Sequence, residues 1–228
     1  MDFDEAVDKA PPGWRHFSAG DIARLPSAVR AHELARVPRG ETEDRVVRGL
    51  FWTLVYHLEP ERWDELARHE PIAAGLLDAL PAHVNTAIDV GAGSGRLTKH
   101  LVARSGRTIA IEPSAGLRAL LTQRLPRVRV LAGWAERLPL RDASAQLTAA
   151  CGAFGPDPEI LAELERVTAP GGTIALVSPE EPDQFEALGW MRFSVAPESP
   201  PTHPAWLDDF FGPLDPPHEM VVRRVGAG

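Results

Sequence analysis

The stretch of sequence that most constrains the fold is TAIDVGAGSGRLTKHL, residues 86–101. An apolar run containing Asp89 is followed by three glycines within five residues, and an amphipathic helical pattern begins directly after them. Glycine lets the backbone turn sharply and lets a ligand approach closely, because no Cβ is in the way. The N–H groups of the following helix's first turn can then face polar or anionic groups of that ligand. This order of strand, glycine-rich turn and helix predicts a nucleotide-binding unit.

Short apolar strands alternate with amphipathic helices after this turn. Strands are predicted at residues 86–90, 108–112, 128–132, 146–151 and 173–178, and helices at residues 96–104, 115–124 and 158–168. Such alternation forms βαβ units, so the sequence predicts an α/β fold with a Rossmann-like, doubly wound, mostly parallel sheet. The segment Pro170-Gly171-Gly172 predicts a tight turn before the last of these strands. The proline-rich segment from residue 179 ends in a strand-like run at residues 218–225, and the structure of this 179–228 tail is uncertain.

The first 80 residues show a different pattern. Apolar residues recur at helical spacing between Val46 and Leu58, while Trp52 and Tyr56 lie on a second face of the same predicted helix. Shorter helices are predicted at residues 60–69 and 71–80, each with proline in its first turn. We therefore expect an α-helical N-terminal cap over residues 1–80 and an α/β domain over residues 81–228.

Composition and charge exclude several classes of protein. The net charge of −8 argues against a nucleic-acid partner, because contacts to phosphates need clustered lysine and arginine. The sequence has no run of 18 apolar residues, so no membrane-spanning helix is expected. The single cysteine, Cys151, excludes an internal disulfide and a multi-cysteine metal site, and no metal is expected. The acidic N-terminus does not resemble a secretion signal, so the expected location is the cytoplasm.

The spacing of the glycines distinguishes between nucleotide ligands. A dinucleotide-binding turn has the pattern Gly-x-Gly-x-x-Gly, but here Arg96 occupies the third glycine position and Gly95 comes one residue early. The observed pattern, Asp89-x-Gly91-x-Gly93-x-Gly95, resembles the first motif of class I S-adenosylmethionine-dependent methyltransferases.

Three further segments carry the same resemblance, in the family's order along the chain. Glu112 ends the second predicted strand, where the family places an acid that holds the two ribose hydroxyls, and a carboxylate can accept both hydrogen bonds. AGWAERLPL, at residues 132–140, resembles the adenine-contacting segment. LERVTAPGGTIALVSP, at residues 164–179, resembles the helix, turn and fifth strand. The resemblance covers roughly residues 80–180.

The resemblance implies a cofactor, S-adenosylmethionine, and a set of residues that bind it. At Trp134 the family often has an aspartate that meets the adenine amino group, whereas an indole can stack on the base but cannot accept that hydrogen bond. The implied cofactor-binding residues are Asp89, Gly91, Ala92, Gly93, Gly95, Glu112, Pro113, Trp134, Ala135, Glu136 and Cys151.

The implied reaction is methyl transfer to an O, N or C atom of a small-molecule acceptor, in biosynthetic or secondary metabolism. Trp52, Tyr56 and Phe154 are predicted to bind the acceptor. His57 and Tyr56 are the catalytic candidates, although a structural histidine is the more common case at such a position. A general base is needed only if the attacking atom must lose a proton. The sequence does not indicate an oligomeric state.

Two alternatives stay open at this point. The chain could be a non-catalytic protein that binds the cofactor, since a fold alone does not establish turnover. It could also methylate a peptide, a protein or RNA. The acidic charge counts against RNA, as do two absent base-methylation signatures: Ala150 rather than proline precedes Cys151, and the stretch CGAFGPDP replaces an Asn/Asp-Pro-Pro-Tyr motif.

Overall fold

The computed structural model describes residues 3–10, 16–36, 43–197 and 199–226. Within these ranges, seven strands form one sheet in the order β3-β2-β1-β4-β5-β7-β6. Strands β1 to β5 pair in parallel, and β7 pairs antiparallel with both β5 and β6. The strands are β1 (Val84–Val90), β2 (Ser105–Ile111), β3 (Arg129–Leu131), β4 (Ala145–Cys151), β5 (Thr168–Val177), β6 (Met191–Ser194) and β7 (Glu219–Arg224).

Helices precede the sheet and cover both of its faces. The helices of the described residues are α1 (Phe3–Lys9), α2 (Ala19–Arg24), α3 (Ser27–Arg36), α4 (Glu43–Leu58), α5 (Pro60–His69), α6 (Ala74–Asp78), α7 (Thr98–Val102), α8 (Ala115–Arg124), α9 (Pro158–Val167), α10 (Pro182–Ala187) and α11 (Ala205–Phe211). The predicted fold, a mostly parallel doubly wound sheet preceded by helices, is confirmed.

The sheet is buried on both faces, because successive side chains of a strand point in opposite directions. In β1, Ile88 and Val90 pack with buried residues of α9 and α10 on one face. Ala87, whose side chain points the other way, packs with buried residues of α6 and α7 on the opposite face. This two-sided burial explains why the central strands read as continuous apolar runs rather than as alternating patterns.

The N-terminal helices form a separate apolar cluster that the tail completes. Leu50, Phe51 and Leu54 of α4 pack with residues of α1 to α3, and Phe210 of α11 packs into the same cluster. Leu207 of α11 is buried against Leu66 of α5. The 179–228 tail therefore has two roles in the fold: it supplies β6 and β7 to the sheet, and it supplies α11 to the N-terminal helices.

Two sequence predictions are wrong, one about a turn and one about the length of a helix. The expected turn at Pro170–Gly172 lies inside β5, where the pairing with β4 shifts its register between Ala145 and Leu147. Gly171 has a φ of +76°, so the glycines make a bulge within a paired strand rather than a break between two elements. The helix expected over residues 96–104 is only α7, because the glycine-rich turn extends as far as Leu97.

A buried acid on α5 joins the N-terminal helices to the α/β domain. Asp64 is 2% exposed, and both of its carboxylate oxygens accept hydrogen bonds from Arg124 at 2.8 Å. Arg68 also donates to this carboxylate. Arg124, at the end of α8, in turn donates to the carbonyl oxygen of Ser94 in the glycine-rich turn at 3.0 Å. Arg124 thus links α5 to the glycine-rich turn through hydrogen bonds to both.

We predict that Asp64→Asn lowers the free energy of unfolding by about 1.5–3 kcal/mol at pH 7, the range for hydrogen bonds to charged groups. Burial alone would raise the pKa of Asp64, but hydrogen bonding from Ser94 and Arg124, together with the charges of Arg124 and Arg68, holds it below its ordinary value. A carboxylate with a lowered folded-state pKa stabilises the protein above the unfolded pKa of about 4 and loses that effect as the pH falls through the folded value. Urea denaturation at several pH values measures this difference.

Glu65→Gln is the matched control, because Glu65 lies one residue along the same helix and is more exposed. Its pair with Arg68 should contribute less than about 1 kcal/mol. A stability loss in Asp64→Asn that is equal at pH 7 and at pH 3 would contradict an ionic role for Asp64.

Candidate functional site

The glycine-rich turn lies between the end of β1 and α7. Gly91 and Gly93 have φ values of +66° and +55°, a backbone region that favours glycine. A Cβ placed on Gly93 would lie 2.9 Å from Nε1 of Trp63 on α5. The turn therefore needs glycine for two reasons: its backbone conformation and the close approach of Trp63.

Glu112, directly after β2, holds the turn in place. It is 4% exposed, and its carboxylate accepts hydrogen bonds from the backbone N–H groups of Gly93 at 2.9 Å and Ser114 at 2.7 Å. Burial raises the pKa of Glu112 above its ordinary value, and these two N–H donors oppose that rise. Each carboxylate oxygen has a second lone pair, so Glu112 can still accept hydrogen bonds from ligand hydroxyls.

Asp89, near the end of β1, lies beneath the turn rather than at its surface. Its side chain is fully buried, and it accepts a hydrogen bond from Thr98 Oγ1 at 2.5 Å. Burial raises the pKa of Asp89 to about 7, and the bond from Thr98 limits that rise. Its Oδ1 atom has no hydrogen-bond partner among the described residues. The side chain therefore connects β1 to α7.

A cavity of about 200 Å³, called here the loop cavity, lies beside the turn. Its walls come from the turn, from the ends of β2 and β4, and from the N-terminal helices. The lining residues are Glu33, Tyr56, Trp63, Gly91, Gly93, Glu112, Pro113, Leu117, Gly133, Trp134, Ala135, Glu136, Cys151, Gly152, Ala153, Phe154 and Ile160. Most of the residues predicted to bind a cofactor therefore lie on one cavity. Asp89, Ala92 and Gly95 are absent from its wall, and for them a direct ligand contact stays a prediction.

A second cavity of about 680 Å³, called here the helix cavity, lies between the N-terminal helices and the loops after β4 and β5. Its lining residues are Glu33, Arg48, Gly49, Trp52, Thr53, Tyr56, Trp63, Leu66, Glu70, Gly152, Ala153, Ser178, Pro179, Glu180, Phe211, Pro213 and Asp215. The two cavities share a wall, formed by Glu33, Tyr56, Trp63, Gly152 and Ala153. Among the residues predicted to bind an acceptor, Trp52 lines the helix cavity, Phe154 lines the loop cavity and Tyr56 lines both.

Glu33, on α3, is one of the site residues that the sequence did not reveal. Its Oε1 atom accepts a hydrogen bond from Trp134 Nε1 at 3.1 Å and lies 2.8 Å from His57 Nε2. Its Oε2 atom has no hydrogen-bond partner in the described part of the chain. Trp134 is 101 residues away in sequence, and α3 carries no recognisable motif, so no local signal could have located this carboxylate.

The side chains considered for proton transfer or nucleophilic attack have contrasting environments. His57 is 3% exposed and lines neither cavity, so its contact with ligands would run through Glu33. Burial, and then the charge of Glu112, raises the pKa of the Tyr56 hydroxyl, which therefore keeps its proton at neutral pH. Burial likewise raises the pKa of the Cys151 thiol and keeps it uncharged. Glu33 is the carboxylate among the residues of the shared wall.

Two other kinds of site are absent from the described residues. No group of three or more His, Cys, Asp or Glu side chains in these ranges is arranged to hold a metal ion. Over the same part of the chain, no helix combines the length and apolar character needed to span a bilayer.

Comparison with known proteins identifies a methyltransferase domain in this chain. Residues 87–172 match the family described as a methyltransferase domain. An uncharacterized methyltransferase of Mycobacterium tuberculosis is 36% identical over 115 residues, which are 50% of this chain and 46% of that protein. A malonyl-[acyl-carrier protein] O-methyltransferase of Pectobacterium atrosepticum is 30% identical over 140 residues, 58% of this chain and 53% of that protein. The chain thus spans about half the length of the curated relatives it matches.

Solved structures show the same fold at lower identity. A complex of the Haloferax volcanii Trm112 methyltransferase activator with a methyltransferase contains a chain with a TM-score of 0.55 and 19% identity, covering 75% of this chain and 95% of that one. A candidate S-adenosyl-L-methionine-dependent methyltransferase of Methanococcus maripaludis has a TM-score of 0.52 and 14% identity, covering 74% and 91%. Residues 87–172 therefore form a methyltransferase domain with the fold of the class I S-adenosylmethionine-dependent methyltransferases.

Proposed function

We propose that this protein transfers a methyl group from S-adenosylmethionine to a small-molecule acceptor, in biosynthetic or secondary metabolism and in the cytoplasm. The observation that carries the proposal is the pair of adjoining cavities. One contains the family's glycine-rich turn and Glu112, and the other is large enough for a second ligand. Because the two cavities share lining residues, ligands bound in them would lie next to each other, which is the arrangement that a direct transfer requires.

The loop cavity has groups suited to the proposed cofactor. The lone pairs of Glu112 that remain beyond its two N–H bonds would accept hydrogen bonds from the ribose hydroxyls. Gly93 lines the cavity, and a ligand can approach its backbone closely because glycine has no Cβ. The indole of Trp134 lies on the cavity wall and would offer an apolar face to the adenine ring. When bound, the cofactor supplies a methyl group that is already activated on a sulfonium.

The chain's own contribution is to exclude water and to align the two ligands. Tyr56 and Trp63, on the shared wall, come from α4 and α5, so the N-terminal helices would shield the reacting atoms from solvent. The sulfonium charge disappears during transfer, so a dry, weakly polar environment favours the transition state over the bound reactants.

Glu33 is the residue we assign to proton transfer when the attacking atom carries a proton. Its Oε1 atom is held by Trp134 and His57, and Glu33 belongs to the wall that both cavities share. A carboxylate in this position can accept the acceptor's proton as the new bond forms. His57, named as a catalytic candidate from the sequence, is then a positioning residue.

The proposal is tested first by calorimetry and then by transfer of a labelled methyl group. S-adenosylmethionine and its demethylated product, S-adenosylhomocysteine, should bind, whereas NAD should not. Separate pools of small molecules, peptides and RNA would then receive the labelled cofactor. Label in the peptide or RNA pool alone would overturn the small-molecule acceptor, and cofactor binding without transfer to any pool would favour a non-catalytic protein.

We predict that Glu112→Ala weakens the binding of S-adenosylhomocysteine by about 1.5–3 kcal/mol, because hydrogen bonds to a charged acceptor are lost. The change also removes the partner of the Gly93 and Ser114 N–H groups, so thermal unfolding should be measured beside calorimetry. Asp78→Asn, which removes an exposed carboxylate on α6, controls for net charge. An unchanged dissociation constant in folded Glu112→Ala would show that the ribose is held elsewhere.

We predict that Glu33→Gln lowers turnover by roughly 10²–10⁴-fold, the usual contribution of a general base, with the acceptor identified in the transfer screen. Glutamine keeps an oxygen for Trp134 but cannot take a proton. The dissociation constant of S-adenosylhomocysteine should change less than turnover does. A loss confined to cofactor affinity would place Glu33 in cofactor binding instead.

A further inference from the structure

The helix cavity has an unbalanced set of charges. Four carboxylates and one guanidinium are among its described lining residues: Glu33, Glu70, Glu180, Asp215 and Arg48. A cavity of one predominant charge, with weakly polar walls, concentrates ligands of the opposite charge. The negative charge of the described wall therefore favours a positively charged ligand.

The four carboxylates differ in how far their charge is compensated. Glu70 is paired with Arg96 at 3.1 Å and also accepts the N–H of Asp215. Asp215 is largely exposed and lies 3.6 Å from His218. Glu180 has no hydrogen bond or ion pair of its side chain in the described residues, and Glu33 has a free Oε2 atom. Two carboxylates thus remain available to a ligand.

The backbone on either side of Glu180 has an uncommon conformation. Its neighbourhood contains two non-glycine residues with left-handed backbone, Ser178 with a φ of +47° and Glu181 with a φ of +53°. Such residues cost free energy and persist where the surrounding structure fixes them. The Glu180 N–H also donates to the Phe154 carbonyl at 3.4 Å. The loop after β5 therefore presents Glu180 to the cavity from a constrained turn.

Aromatic rings form another part of the wall. The ring of Trp63 is nearly perpendicular to those of Trp52, at 5.6 Å and 84°, and Tyr56, at 5.0 Å and 81°. Phe211 stacks on Trp52 at 5.8 Å. The faces of such rings attract cations. The protein already uses one of them in this way, because the Arg96 guanidinium lies 5.5 Å from the centre of the Trp63 ring.

We propose that the acceptor is a compact amine that is cationic in free solution and is methylated on nitrogen, an inference that rests on the proposed function above. Glu180 and the aromatic wall would hold the ammonium form, and Glu33 Oε2 would accept one proton from it. The nitrogen lone pair then forms the bond to the methyl carbon, while the carbon–sulfur bond breaks and its electron pair goes to sulfur. The product leaves as the methylated ammonium.

The decisive test compares two probes of the same shape and different charge. Choline carries a quaternary nitrogen, and 3,3-dimethylbutan-1-ol carries a quaternary carbon in its place. Calorimetry without cofactor should show that choline binds roughly fivefold to thirtyfold more tightly, which is the range for a cation on aromatic faces. This preference should decrease as salt is added, since ions screen the attraction. Equal affinities, or no binding of choline, would overturn the inference.

Two substitutions test which residues bind choline, and a third controls for the change in net charge. Glu180→Gln should remove most of the preference for choline, and Trp52→Phe should reduce it while keeping a ring in the apolar cluster. Asp78→Asn removes one exposed carboxylate outside the cavity and should leave the preference unchanged. A loss in Glu180→Gln no larger than that in Asp78→Asn would contradict the role of Glu180.

The transfer assay separates this inference from the proposed function. Labelled S-adenosylmethionine should methylate members of an amine pool, and not the alcohols or carboxylic acids of matched pools. Label found only in alcohols or carboxylic acids would overturn the amine while leaving methyl transfer intact. If the cofactor did not bind at all, methyl transfer itself would be overturned, and a choline preference would then identify only a cation-binding cavity.

Discussion

The rest of the site depends on the hydrogen bonds that the buried carboxylate of Glu112 accepts. One of its hydrogen bonds fixes Gly93 in the turn after β1, and another fixes Ser114 at the start of α8. Ser114 in turn donates its hydroxyl to the carbonyl oxygen of Tyr56 on α4 at 2.6 Å. A single buried acid therefore sets the relative positions of the turn, α8 and the helix that lines both cavities.

The N-terminal helices are structurally part of the site rather than an addition to it. They contribute Glu33, Tyr56 and Trp63 to the wall between the cavities, and Trp63 lies against the turn itself. The attachment of α5 through Asp64 and Arg124 gives this wall a fixed position. The α/β domain by itself would have a glycine-rich turn open to water, and selectivity for a second ligand would have to come from its loops alone.

The sequence predicted the parts of the site that depend on local patterns. The glycine-rich turn, Glu112 and the central strands could be predicted because their residue types, spacing and periodicity follow from backbone geometry within a few residues. Glu33 could not be predicted, because its role arises from contacts with α4 and with the segment after β3. The turn predicted at Gly171 is instead a bulge, since glycine permits both conformations. The Gly171 N–H donates to the carbonyl oxygen of Val225, directly after β7, and this bond keeps the segment paired within the sheet.

The burial of Asp89 has a consequence for the chemistry of folding. Its pKa of about 7 in the folded protein compares with about 4 for an exposed aspartate, so the folded chain holds a proton that the unfolded chain releases between these values. The folded state binds more protons, so this group stabilises the fold fully below pH 4 and loses that contribution as the pH rises toward 7, opposite to Asp64. Folding near neutral pH is then coupled to proton uptake from the buffer, and the calorimetric heat of unfolding will include the buffer's own heat of ionisation.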